Sequence, residues 1–145
     1  MTTTLRHQQF SALIVDDNFA LREAIARSLA RDGWDVTTAP GGLEGLEAVR
    51  SRPFDVVITD VHMPMRGGLW LCEEALALRP ELRGRFVFMS SEPLPEPPRD
   101  AVFMVKPLSL TTLHSEVQNI VRRGEGARVL QGSGRDGQLV SLRLE

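Results

Sequence analysis

Short apolar runs alternate with amphipathic stretches along most of the chain. Residues 12–15 are continuously apolar and are followed by two aspartates, which is typical of a strand buried on both faces of a parallel sheet. Residues 18–31 place apolar side chains at helical spacing, with Asp17 or Asn18 as the N-cap. The same alternation predicts strands at 34–39, 55–60, 85–90 and 101–106, and helices at 43–51, 69–78 and from 109 onward. Five strands alternating with helices predict an α/β fold, a doubly wound parallel sheet covered on both faces.

Composition narrows the class of protein. The 145 residues are 42% hydrophobic and 25% charged, as in one globular domain, and the formal charge of −2 gives no attraction for nucleic acid. No apolar run approaches the roughly 20 residues that span a bilayer, and the N-terminus lacks a signal-peptide core. A single cysteine, Cys72, excludes an internal disulfide. We therefore expect a cytoplasmic protein without nucleic-acid or membrane partners.

Two segments depart from the alternation. Residues 91–100 contain four of the nine prolines, and a proline inside a helix costs about 3 kcal/mol. We therefore expect a proline-rich loop in place of the fourth helix. Residues 124–145 are rich in glycine and end in an alternating pattern, which fits a strand, a hairpin or a disordered tail. The predicted organisation is an arm at 1–9, a domain at 10–123 and an extension at 124–145. The domain is expected to stand alone, and a domain taken from a longer chain is the alternative.

Polar side chains gather where the predicted strands end. The first strand ends in Asp16 and Asp17, the third in Asp60, the fourth in Ser90 and the fifth in Lys106. The carboxyl ends of parallel strands meet at one edge of a sheet, which is where ligands bind. Crowded carboxylates repel each other unless a cation such as Mg²⁺ intervenes, and a lysine with a hydroxyl suits a phosphoryl group. Because a carboxylate is a competent nucleophile, the pattern indicates formation of an acyl phosphate on an aspartate.

With Met63, Pro64 and Gly68 after Asp60, and Pro107 after Lys106, the chain resembles a response-regulator receiver domain of two-component signalling. The resemblance covers residues 10–123 and implies a flavodoxin-like sheet order. It also implies a signalling domain that catalyses its own phosphorylation and dephosphorylation, not an enzyme that turns over a substrate. The implied phosphoryl donor is a sensor histidine kinase or a histidine phosphotransfer protein, and the implied output is altered binding to a downstream protein. A homodimer stays open.

The resemblance also implies roles for residues around the acceptor. Asp60 is the phosphoacceptor, and Mg²⁺ is bound by Asp16, Asp17, Asp60 and the backbone carbonyl of His62. The side chain of His62, like that of Glu92, lies where the family tunes the lifetime of the phosphoryl group. An exposed histidine without a chemical role is the alternative for His62.

The fourth and fifth strands carry the switch residues that the family implies. Ser90 and Lys106 hold phosphoryl oxygens, and the bond between Lys106 and Pro107 is expected to be cis. Phe103 falls at the position of the switch aromatic, although a phenylalanine in a strand also fits a purely structural role. The adjacent Ser91 is the alternative to Ser90.

Two other functions stay open from sequence. The unusual crossover is compatible with a receiver-like adaptor that binds partners independently of phosphorylation. A hydrolase that works through an aspartyl phosphate would carry a second aspartate two residues after its nucleophile, and His62 stands there instead.

Overall fold

The computed structural model describes residues 9–94, 96 and 98–132, with only the backbone described over 125–132. Its strands are β1 (Ser11–Val15), β2 (Asp35–Ala39), β3 (Val56–Asp60), β4 (Phe86–Ser90) and β5 (Val102–Val105). Its helices are α1 (Phe19–Arg31), α2 (Gly42–Ser51), α3 (Gly68–Leu78) and α4 (Leu110–Gly132), and a 3-10 turn (Pro80–Leu82) precedes β4.

The five strands form one parallel sheet in the order β2-β1-β3-β4-β5. The chain moves outward from β1 in one direction to β2 and then in the other direction through β3 to β5. The predicted doubly wound fold is therefore confirmed. In such sheets the crevice for a ligand opens where the winding reverses, beyond the carboxyl ends of the two central strands.

Alternate residues of the central strands supply two cores, one on each face of the sheet. Ala12 and Ile14 pack with residues of α1 and α4, whereas Leu13 and Val15 pack with residues of α2 and α3. All four side chains have no exposed surface. A strand buried on both faces is fixed in register, because a slip of one residue would exchange the two sets. This fixed register determines where each strand ends.

Capping residues fix the start of two helices that flank the carboxyl edge. The side chain of Asn18, one of the two predicted caps, accepts the backbone N–H of Leu21 at 3.0 Å. The hydroxyl of Ser109 accepts the N–H of Thr112 at 3.1 Å. Each bond satisfies a donor that the first turn of a helix leaves free.

The two segments that depart from the alternation differ in secondary structure. Between β4 and β5, the described residues 91–94, 96 and 98–101 include no helix. By contrast, α4 continues to Gly132 and so passes the domain boundary expected at residue 123. No proline follows Pro107, and residues 127–131 include alanine, arginine, leucine and glutamine, which favour helix despite the glycines at 124 and 126. The alternating pattern at 140–144 lies outside the described residues.

Among the helices that the structure describes, none combines the length and the apolar character needed to cross a bilayer.

Candidate functional site

The sheet register brings the strand ends to one edge. Asp60 lies opposite Met89, and Ser90 lies opposite Val105. One residue further, the backbone N–H of Lys106 donates to the carbonyl of Ser90 at 2.8 Å. The backbone ladder, more than any side-chain contact, therefore positions the residues that sequence analysis selected at the ends of β3, β4 and β5.

Three carboxylates form a cluster at this edge. Asp16, Asp17 and Asp60 each offer one oxygen, and these oxygens lie within 4.8 Å of one another. Asp16 is fully buried and Asp60 is 6% exposed, whereas Asp17 faces solvent. The carboxylate of Asp16 also accepts the backbone N–H of Asn18 at 2.8 Å, so it is held at the start of α1.

The only lysine of the chain spans the two buried carboxylates. Lys106 Nζ lies 3.3 Å from Asp60 Oδ2 and 3.4 Å from Asp16 Oδ2. One ammonium faces three carboxylates, so the cluster keeps an excess of negative charge. A set of closely spaced oxygen donors with excess negative charge is the kind that Mg²⁺ prefers, so the residues present fit that ion.

The direction in which the pKa of Asp60 is shifted agrees with this excess of negative charge. Burial, and after it the charge of Asp16, raise the pKa of the Asp60 carboxyl above its usual value. Lys106 and a hydrogen bond from the backbone N–H of His62 act in the opposite direction without cancelling the rise. The ionised cluster is thus unfavourable on its own, and a bound cation would relieve it.

The predicted switch residues occupy the neighbouring strands. Ser90 is fully buried, and its hydroxyl donates to the carbonyl of Glu92 at 2.7 Å while accepting the N–H of Glu92 at 3.1 Å. Phe103 is half-buried and packs against the core on the α2 and α3 face. The side chains of His62 and Glu92 are exposed. The bond between Lys106 and Pro107 is cis.

The loop from β3 to α3 depends on glycine at a position close to Asp60. A Cβ on Gly68 would overlap the carbonyl oxygen of Asp60 and would lie 3.1 Å from both the carbonyl carbon of Asp60 and Cγ2 of Thr59. The N–H of Gly68 also donates to the carbonyl of Val61 at 3.0 Å. Gly68 therefore lets the start of α3 lie directly against the backbone of Asp60.

Sequence reasoning missed one residue that supports the cluster. Arg22 Nη1, on α1, donates to the backbone carbonyl of Asp16 at 2.8 Å. This arginine follows the cap at a helical spacing that also suits a solvated residue, so nothing in the pattern distinguishes it.

Arg66, which precedes the two glycines of the loop, stacks its guanidinium 5.2 Å from the ring centre of Trp70.

The doubly wound sheet gathers carboxylates, a lysine and a hydroxyl at its carboxyl edge, which is the arrangement that the resemblance to a receiver domain implies. A protein-family model described as the response regulator receiver domain matches residues 12–93. The chain belongs to this family of signalling domains. The matched range contains the three aspartates and Ser90 but ends before Lys106, which the fold adds to the site.

Relatives agree with this membership. The chain is 27% identical over 113 residues to the response regulator receiver protein CpdR of Brucella abortus, a match that covers 75% of this chain and 94% of CpdR. It is 43% identical over 65 residues to the transcriptional regulatory protein CseB of Streptomyces avermitilis, covering 45% of this chain but only 28% of CseB. The receiver domain of the hybrid histidine kinase CckA superposes with a TM-score of 0.68 at 28% identity, covering 76% of this chain and 97% of that domain.

Proposed function

We propose that this protein is a phosphorylatable receiver of a two-component phosphorelay, with Asp60 as the acceptor. The observation that carries the proposal is the juxtaposition of Asp60 with two further carboxylates and with Lys106 Nζ at 3.3 Å. The donor would be a phosphohistidine on a sensor histidine kinase or a phosphotransfer protein. The altered surface would then be recognised by a downstream protein.

The transfer itself requires little from the protein beyond position and charge. A carboxylate oxygen of Asp60 attacks the phosphorus in line, the bond from phosphorus to the histidine nitrogen breaks, and an acyl phosphate forms. Lys106 stands beside Asp60 and would pair with a phosphoryl oxygen. Hydrolysis of the acyl phosphate by water would return the domain to its starting state.

Mg²⁺ would be held by Asp16, Asp17, Asp60 and the backbone carbonyl of His62. When bound, it would supply charge neutralisation to the phosphoryl group. His62 and Glu92, whose side chains face solvent, are proposed to influence the lifetime of the acyl phosphate through the access of water.

The response to phosphorylation would centre on Ser90. Its hydroxyl donates to the carbonyl of Glu92, and a hydroxyl has only one proton to donate. It must give up that bond before it can donate to a phosphoryl oxygen. The turn after β4 would then rearrange, and Phe103 on the adjacent β5 is proposed to change its packing with it. Phosphorylation would bias two arrangements of this edge, which a partner distinguishes.

The direct test is covalent. The folded protein is incubated with Mg²⁺ and acetyl phosphate, and its intact mass is measured. We expect a gain of one phosphoryl group on the unaltered chain and no gain on Asp60→Asn. Asp35→Asn is the matched control, because Asp35 lies on the surface at the other end of a strand and pairs with Arg52. It should be phosphorylated like the unaltered chain.

The negative outcome is equally informative. If the folded protein binds Mg²⁺ yet gains no phosphoryl group from acetyl phosphate or from a phosphohistidine donor, the proposal is wrong. The phosphorylation-independent adaptor then becomes the favoured function. A donor kinase of the two-component type would place the reaction in the cytoplasm.

A further inference from the structure

A second cluster of reactive side chains connects α1 to α4. Ser28 Oγ lies 2.6 Å from His114 Nε2, and His114 Nδ1 lies 2.6 Å from Asp32 Oδ2. Ser28 lies on α1 and Asp32 caps its end one turn later, so both present their side chains to the same neighbour. His114 comes from α4, 86 residues along the chain from Ser28. Hydroxyl, imidazole and carboxylate thus form one continuous chain of hydrogen bonds.

The direction of these bonds follows from the chemistry of the groups. An ionised carboxylate only accepts, so the bond to Asp32 places the imidazole proton on Nδ1. In the neutral ring Nε2 then carries a lone pair, and the hydroxyl of Ser28 must donate to it. This is the arrangement in which a carboxylate orients a histidine that removes a proton from a nucleophilic serine.

The cluster is accessible and separate from the phosphoryl site. The side chain of His114 is 23% exposed, and Ser28 is partly exposed. An open surface depression of about 360 Å³ lies over α4 beside the histidine, and its described lining residues, all on α4, are Thr111, His114, Ser115, Gln118, Asn119 and Arg122. Ser28 lies ten residues beyond Asn18, the cap of α1, which is a rise of about 15 Å along the helix. The chemistry proposed for Asp60 uses none of the three residues.

We propose that Ser28 is an activated nucleophile that accepts an acyl group from activated esters. Ser28 Oγ forms a bond to the carbonyl carbon while its proton passes to His114 Nε2. Asp32 holds the proton on Nδ1 and stabilises the imidazolium. The bond from the carbonyl carbon to the ester oxygen then breaks, the leaving group departs as an alkoxide or phenolate or takes the proton from His114, and an acyl-serine remains.

The position of Ser28 inside a helix limits this reaction to acyl transfer onto the protein. The N–H groups near Ser28 belong to the body of α1, where each donates to the carbonyl four residues earlier. They do not provide the pair of free N–H donors that stabilises the oxyanion in efficient hydrolases. We expect His114, as a positioned general base, to accelerate acylation of Ser28 by about 10² to 10⁴-fold. We therefore expect one acylation per chain without rapid turnover.

The composition of the chain favours a clean test with p-nitrophenyl acetate. The chain has one lysine, no tyrosine and one buried cysteine, so few side chains compete for the acetyl group. The protein is treated at neutral pH, release of p-nitrophenolate is followed, and the acetyl group is located by intact mass and peptide mapping. We expect one acetyl group on Ser28 and a single burst of p-nitrophenolate.

Variants distinguish a Ser28 that His114 activates from a Ser28 that is only exposed to the reagent. Ser28→Ala should lose the burst, and His114→Gln should acetylate position 28 at least about 100-fold more slowly. Asp32→Asn changes an exposed cap, and should slow the reaction by favouring the wrong tautomer of His114. Ser51→Ala is the matched control, because Ser51 is a helical surface serine whose hydroxyl is bonded to the backbone of its own helix, and it should leave the burst unchanged.

Either of two results would overturn the proposal. One is acetylation confined to Lys106, the N-terminal amine or the other histidines. The second is acetylation of Ser28 at the same rate when His114 or Asp32 is replaced in a folded protein, which would mean that the cluster only joins the two helices.

Discussion

The close approach of α3 to the end of β3 makes Gly68→Ala a sharp test of the structure. The added methyl would overlap the carbonyl oxygen of Asp60 and lie 3.1 Å from both the carbonyl carbon of Asp60 and Cγ2 of Thr59. The first two of these atoms are backbone of a fully buried strand, so they cannot rotate away. Either α3 or the end of β3 must move.

The magnitude follows from two opposing effects. Forcing a methyl group into a packed site costs about 1 to 3 kcal/mol, and contact with rigid backbone puts this case at the upper end. Alanine in a helix gains at most about 1 kcal/mol over glycine. A net loss of about 2 kcal/mol corresponds to roughly 4 to 8 °C in melting temperature for a chain of this length.

The assay compares melting temperatures with Gly41→Ala as the matched control. At Gly41 the nearest atom to an added Cβ is the end of the exposed Glu44 side chain, at 3.1 Å, which can move aside. Gly68→Ala should melt several degrees below the control and should also be phosphorylated more slowly, because the displaced backbone carries Asp60. Equal melting temperatures for the two variants would refute the close approach of α3 to β3.

Three further predictions concern single interactions. Because the folded-state pKa of Asp60 is raised, ionisation of its carboxyl destabilises the folded chain once the pH exceeds the pKa of this group in the unfolded chain. Without divalent cations, Asp60→Asn should therefore have a higher urea midpoint than the unaltered chain at pH 7 but not near pH 4, and a difference that stays constant with pH would contradict this. Asn18→Ala removes the 3.0 Å cap bond to Leu21 and should lower the free energy of unfolding by about 1 kcal/mol, measured in urea; no change would show that the cap contributes nothing. Burial raises the pKa of Cys72 from 9.0 to about 11, and only the thiolate reacts with a thiol reagent. At pH 8 the reagent should therefore modify the folded chain roughly 100-fold more slowly than the urea-unfolded chain, and equal rates would contradict the burial.

Much of the candidate site could be predicted from sequence because the backbone periodicity defines it. A parallel strand buried on both faces is a short apolar run, and the first polar residue after the run marks the edge of the sheet. Asp16, Ser90 and Lys106 stand at such a transition, and Asp60 comes one residue after it, behind Thr59, so their meeting follows from the fold. The choice between Asp17 and Asn18 as the cap did not follow, because both side chains are good caps and only the geometry of α1 selects one.

Features that depend on side chains meeting across the fold could not be predicted. Nothing in the local pattern indicates that the hydroxyl of Ser90 bonds to Glu92, since a strand-end serine can also face the cluster. The length of α4 depends on whether two glycines outweigh the helix formers after them, a balance of about 1 kcal/mol per glycine that local propensity does not decide. The cluster of Ser28 and His114 joins residues 86 positions apart.

The two sites of this molecule therefore differ in what maintains them. At the carboxyl edge, Asp60 and Lys106 are held by backbone ladders that also hold the sheet together, so their arrangement should persist as long as the sheet does. The cluster on α1 and α4 depends on two hydrogen bonds between side chains that remain partly exposed, and one rotamer change of His114 would separate it. Rotation of α4 against α1 would disturb the second site without disturbing the first. For this reason, acetylation of Ser28 would also report on how α1 and α4 pack when Asp60 is phosphorylated.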